Sequence, residues 1–267
     1  MSSVYAYWGI AKKGIKIWST YRFEFVVGLI SVPISLIIYF FLWKSVYSYT
    51  GQELIRGFTL QQMINYYVLS MIIGFFTWSE VDKWVEMDLL HGNTISGMLK
   101  PVSFIMWYMF FEIGINMMNI IWQMIPVFII GFVFFGLDMA PAFNFIAFLI
   151  SLILAFFIYY GMTFLLGLSA FWLKKITGLR RVRRVVLGFL GGSFIPLTLF
   201  PDWARSVLHY LPFESTRFVP ITIYLGTISN AEVLRALGVQ LFWIAALYGI
   251  IYLVWKRAYK LYSSVGV

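Results

Sequence analysis

Glu112, Asn116, Asn119 and Gln123 recur at i, i+4, i+7 and i+11 inside a long apolar run, which places four polar side chains on one face of a helix. An ionisable group within such a run is costly and belongs against a bundle interior, a cavity or a subunit interface, so Glu112 is a candidate proton or cation site. The competing reading is interhelical hydrogen bonding. A second group, Glu80, Asp82, Glu86 and Asp88, gathers acid around Lys83 in one short segment of an otherwise basic chain. It reads as a solvated loop or as a docking surface for another protein.

Other chemistry is excluded by what is missing. No GxxxxGK[ST] run occurs, so the chain has no phosphate cradle of that type; HExxH, GxSxG and dinucleotide fingerprints are absent too. With no cysteine there is no disulfide, thiol nucleophile or iron–sulfur cluster. The two histidines, His91 and His209, fall in different predicted loops on opposite sides of a bilayer. An intramembrane enzyme would need Glu112, Asp202 and His209 to converge from different depths, which disfavours it. No catalytic residue and no metal site is expected.

The elements that position these groups must sit in lipid. Of 267 residues, 61% are hydrophobic and 12% charged, about half the charge of an ordinary soluble domain. Runs long enough to cross hydrocarbon at 1.5 Å per residue are expected at about 25–46, 61–79, 102–136, 142–172, 184–200 and 238–256. Pro33 should kink the first, and Gly136, Asp138 and Pro141 mark the turn between the third and fourth. The fold class expected is an all-α polytopic membrane protein with six transmembrane helices, forming a single domain over 1–267. Residues 1–22 read as an interfacial amphipathic helix with Val4, Trp8, Ala11, Ile15 and Trp18 on one face and Lys12, Lys13 and Lys16 on the other; no cleavable signal is expected. Residues 201–237 are too apolar for open water and too broken to span, so short re-entrant or interfacial helices form a broken hairpin outside.

With both termini in the cytoplasm, 15 of the 20 basic residues lie inside and 5 outside, and the cluster Lys174 to Arg184 pins the fourth-to-fifth connection to the inner side. The net charge of +9 is thus a topology signal, and no nucleic-acid partner is expected. Membrane lipids are the first partner, and Lys174 to Arg184 reads as a topology determinant before it reads as a lipid headgroup site.

Two blocks carry a resemblance. An apolar-x-Gly element containing Gly92, then Ile95 and Met98-Leu99-Lys100-Pro101-Val102-Ser103, precedes the third span. Gly191-Gly192-Ser193-Phe194-Ile195-Pro196-Leu197, Leu199-Phe200-Pro201, Trp203, Leu211-Pro212-Phe213, Pro220 and Gly226 follow later. Together, in span order, they resemble the six-helix ABC-2 type permeases. The resemblance implies the membrane subunit of an ATP-driven exporter, with no nucleotide site or cofactor of its own. ATP and Mg would be held by a separate ABC ATPase subunit, and a second permease copy, identical or paralogous, would complete a dimer. It further implies that 80–101 holds the coupling helix, with Glu80, Asp82, Glu86, Asp88, Gly92, Ile95 and Leu99 meeting the ATPase. Pro196, Phe200, Pro201 and Trp203 would form an extracellular gate, and Glu112, Asn116, Asn119 and Gln123 would line the translocation path. The family implies a bacterial or archaeal plasma membrane and a lipid-like, peptide or drug-like substrate. An ATPase-independent secondary transporter or channel using Glu112 is the alternative, and the lack of inverted repeats counts against it.

Overall fold

A computed structural model describes residues 2–20, 22–94 and 103–263, all-helical without strands among them. The order is α1 (Ser2–Thr20), α2 (Arg22–Thr50), α3 (Leu60–Phe76), α4 (Val81–Leu90), α5 (Phe104–Phe134), α6 (Ala142–Leu168), α7 (Thr177–Leu190), α8 (Asp202–Leu208), α9 (Phe218–Leu225) and α10 (Asn230–Ser263). The coupling residues Ile95 and Leu99 lie outside the described residues.

Among the described residues four stretches are long and apolar enough to cross a membrane: Ile30–Thr50, Phe104–Phe134, Ala142–Leu173 and Asn230–Lys260. Each carries an exposed apolar face, for example Ile34, Ile38 and Phe41 on α2, as lipid contact requires. The 17-residue α3 is the hub, with Tyr66, Val68, Leu69 and Ile73 fully buried. Its start is set by a capping box, in which the Gln62 N–H donates to the Thr59 hydroxyl at 3.2 Å and the Thr59 N–H donates to the Gln62 amide oxygen at 3.0 Å. Within α5 the ladder shifts to a π turn over Ile120–Met124. Pro126 follows directly; its ring lacks a donor and clashes with the carbonyl four residues back, so the widened turn absorbs it.

Two apolar cores stack along the bundle. One surrounds α3; the other joins Val85, Phe104, Tyr108, Phe164 and Leu168. Polar contacts separate the two ends. At one end Gln61 and Asn65 donate to the Gly136 carbonyl at 3.1 and 3.3 Å, and the Tyr224 hydroxyl donates to the Asp138 carbonyl at 3.0 Å. At the other, the Ile176 N–H donates to Glu86 at 2.7 Å, and Trp255 stacks on Phe104 with centroids 4.3 Å apart.

The structure corrects the sequence reading at the fifth span. The expected fifth span, 184–200, is not one helix: α7 begins earlier, ends at Leu190, and the chain turns at Gly191-Gly192. Gly192 has φ +83, a left-handed conformation that a β-carbon disfavours. The chain reaches the far end only through α9, whose Phe218 N–H donates to the Gly191 carbonyl at 3.2 Å. On α1, Ile10, Ala11 and Gly14 are buried while Trp8 is half exposed, so Ala11 of the apolar stripe packs inward and Trp8 does not. Gly14 and Gly114 let the α1 and α5 backbones touch, and that approach, rather than hydropathy, chooses the face.

Candidate functional site: a polar cavity and an ionic latch

A cavity of about 430 Å³ lies between α2, α3 and α5, lined in part by Phe75, Trp78, Lys83, Glu112, Asn119 and Gln123. Three of the four polar residues read from α5 therefore reach it. Asn116 sits behind them, where its amide donates to the Trp78 carbonyl at 2.9 Å and accepts from the Asn119 amide at 3.3 Å. The polar face thus does two jobs: it holds the connection from α3 to α4, and it wets a cavity wall. Glu112 is 1% exposed, and neither carboxylate oxygen makes a hydrogen bond of normal geometry, although Ser79 and the Glu80 backbone face it. A buried acid with no cation beside it is costly. At the cavity edge Lys83 pairs with Glu80 at 3.5 Å and lies 5.4 Å over the Trp84 ring.

The acidic segment corrects a second expectation. Asp82 and Glu86 are buried, so they are not an exposed docking patch. Asp82 meets Arg183 at 3.0 Å and Arg180 at 3.8 Å; Glu86 pairs with Arg180 and accepts from the Ile176 N–H and the Thr177 hydroxyl, capping the start of α7. Arg183 also donates to the Thr163 hydroxyl at 3.0 Å, which ties the cluster to α6. Burial pushes the Asp82 carboxyl up from its usual range, against the pull of Arg183 and then Arg180. The result is a latch between α4 and α7, packed on α6 where Gly167 lets the Asp82 backbone approach. Asp88 is half-buried and accepts from the Tyr108 hydroxyl at 2.6 Å, leaving Gly92 exposed at the end of the segment.

The four residues expected at the gate differ in burial and element. Pro196 is buried and starts a short 3₁₀ turn, Phe200 is half-buried, Pro201 precedes α8, and Trp203 is 74% exposed. What fixes this region is the turn before them: the Tyr66 hydroxyl donates to the Gly192 carbonyl at 2.6 Å and the Tyr67 hydroxyl to the Phe194 carbonyl at 3.1 Å. Sequence reasoning missed Arg180 and Arg183 as partners of the acids and took them as topology charges before lipid headgroup ligands. Their spacing with Leu187, at i, i+3 and i+7, was the available signal that one face of α7 is packed.

A family model described as ABC-2 family transporter protein matches residues 33–266. The chain belongs to this family. It is accordingly a multi-pass membrane protein, a membrane transport component of the ABC type. A search of curated proteins found no match. The matched region begins at Pro33 and contains both the α5 cavity residues and the latch.

Proposed function

We propose that this ABC-2 family chain is the permease subunit of an ATP-driven exporter. It works as a dimer with an identical or paralogous permease, is driven by a separate ABC ATPase that holds ATP and Mg, and lacks catalytic activity of its own. The observation that carries the reading is the latch. A permease without a nucleotide site must receive motion through contact, and the acids of α4 lock that helix to α7, whose far end is tied to α3 through Gly192. Force applied by the ATPase at the exposed end of α4, near Gly92, thereby moves α7 and the Gly191-Gly192 turn together. Glu80, Gly92 and the segment after it make the direct contact; Asp82 and Glu86 transmit.

Six crossings remain the proposed topology, the fifth being composite, α7 then α9, with both termini cytoplasmic in a bacterial or archaeal plasma membrane. The chain has no cysteine, and Gly178 has open space around its Cβ position. A Gly178→Cys variant should therefore label only from the inside and Asn230→Cys only from the outside; the reverse pattern rejects this topology.

The test of function is purification of the chain from its native membrane with mass spectrometry of what accompanies it. A stoichiometric P-loop ATPase supports the exporter. A chain that comes alone from membranes containing the ATPase favours the second reading, a secondary transporter, which the buried Glu112 carboxylate at the cavity supports. In either case Glu112→Gln should leave thermal stability equal or higher, because a costly buried acid is removed, while reducing transport several-fold. Unchanged transport would leave Glu112 a structural residue.

A further inference from the structure

A second cavity, about 270 Å³, lies beside α2, α3, α6 and α7. Its wall brings together two guanidiniums, Arg184 of α7 and Arg217 just before α9, with Tyr39, Tyr67, Tyr159 and Phe194. Arg217 is held deliberately: Nη1 donates to the Ser70 carbonyl at 2.6 Å, and the guanidinium occupies the space beside Gly74, where a β-carbon would stand 2.8 Å from Nη1. Glycine at 74 leaves room for the arginine. Tyr39 and Tyr67 stack with centroids 3.9 Å apart, giving a flat apolar platform in the same wall.

The charge balance separates these arginines from their neighbours. Arg180 and Arg183 each face a carboxylate, whereas among the described residues no acid lies within ion-pair distance of Arg184 or Arg217. Arg217 is drawn in beside Gly74 with the Ser70 carbonyl and hydroxyl as its polar partners and no carboxylate, and Arg184 stands exposed at the same cavity, so an anion entering it meets two guanidiniums without a carboxylate. Guanidiniums suit phosphate and carboxylate groups because their planar donors match oxyanion geometry.

From this we infer that the Arg184–Arg217 cavity binds the anionic group of an amphiphile, a phosphate or carboxylate, with its hydrocarbon part laid on the Tyr39–Tyr67 platform. As the substrate class of the exporter, this rests on the function proposed above. Arg184 belongs to the basic connection at the latch end, so the head group is taken from the cytoplasmic side, the side an exporter must load from.

The test uses the full chain with its ATPase in phosphatidylcholine nanodiscs, titrated with radiolabelled dodecyl phosphate. Binding should saturate, and Arg184→Gln should weaken it about tenfold, the worth of one charge-assisted contact. Arg184→Lys should recover part of the loss, because it keeps the charge without the fork. Arg217→Gln should weaken binding too; because Arg217 also holds the Ser70 carbonyl, the exposed Arg184 decides. Inorganic phosphate should compete at least about 100-fold more weakly, since burial of a few methylenes supplies that factor. Equal binding of dodecyltrimethylammonium, or unchanged affinity in Arg184→Gln, overturns the site. Inorganic phosphate competing as well as dodecyl phosphate overturns the amphiphile. ATPase retention is scored on the same samples: lost binding with the ATPase retained rejects the cavity alone, and binding without any ATPase upholds the cavity while rejecting the exporter.

Discussion

Asp82→Ala is expected to destabilise the purified chain by about 3–5 kcal/mol, because it leaves the buried Arg183 guanidinium without its carboxylate. Asp82 is 0% exposed, and the Arg183 and Arg180 side chains are 8% and 12% exposed, so water cannot replace the lost carboxylate. Arg180 would keep Glu86, whereas Arg183 would keep only the hydroxyls of Thr163 and Tyr159. Thermal unfolding in detergent, followed by the loss of the monodisperse peak in size exclusion, measures the effect. The pair Asp82→Leu with Arg183→Met should recover most of the stability, since apolar residues of similar volume commonly substitute for a buried ion pair. A loss below about 1 kcal/mol in the single variant would place the latch among ordinary surface pairs and remove it as a transmission element. The double variant also separates two meanings of the latch. If rigidity carries the motion, export returns with stability. If export stays lost in a stable protein, the charges themselves act during the cycle.

The helices that sequence reasoning recovered best are those whose apolar residues run long enough to outweigh local detail. The first and sixth expected spans fall within α2 and α10, and the third and fourth contain α5 and α6, overrunning them by a few residues. Hydropathy counts residues but does not register direction, and so the apolar stretch through Gly191-Gly192 was read straight where the chain turns. The α5 polar face was legible because its period is local, and Glu112, Asn119 and Gln123 do share a cavity. The latch was not legible, because Asp82 and Arg183 stand 101 positions apart and only packing on α6 says that they meet. Their abundance of charge argued for solvent; their burial required knowing that each had a partner. The π turn was readable in principle, from Pro126 inside an unbroken apolar run.

Gly114→Leu should have the next largest effect, by driving α1 off α5. A β-carbon at Gly114 would stand 2.0 Å from the Ala11 carbonyl oxygen, and one at Gly14 would stand 2.3 Å from the Phe111 carbonyl oxygen. Both obstacles are backbone atoms, so no rotamer change relieves them and the helices must separate. Gly114→Ala, with a single methyl, should cost about 1–3 kcal/mol in the range of overpacked sites, and Leu should exceed it. The displacement can be followed without touching the cavity: Tyr7 and Phe110 stack across this crossing with centroids 4.7 Å apart. In the cysteine-free chain, Tyr7→Cys with Phe110→Cys should cross-link through a short bis-maleimide, and the cross-link should vanish when Gly114→Leu is added. Because Ile17 of α1 lines the Glu112 cavity, transport should fall with it. Cross-linking that survives Gly114→Leu would mean that α1 is not seated through the glycine pair.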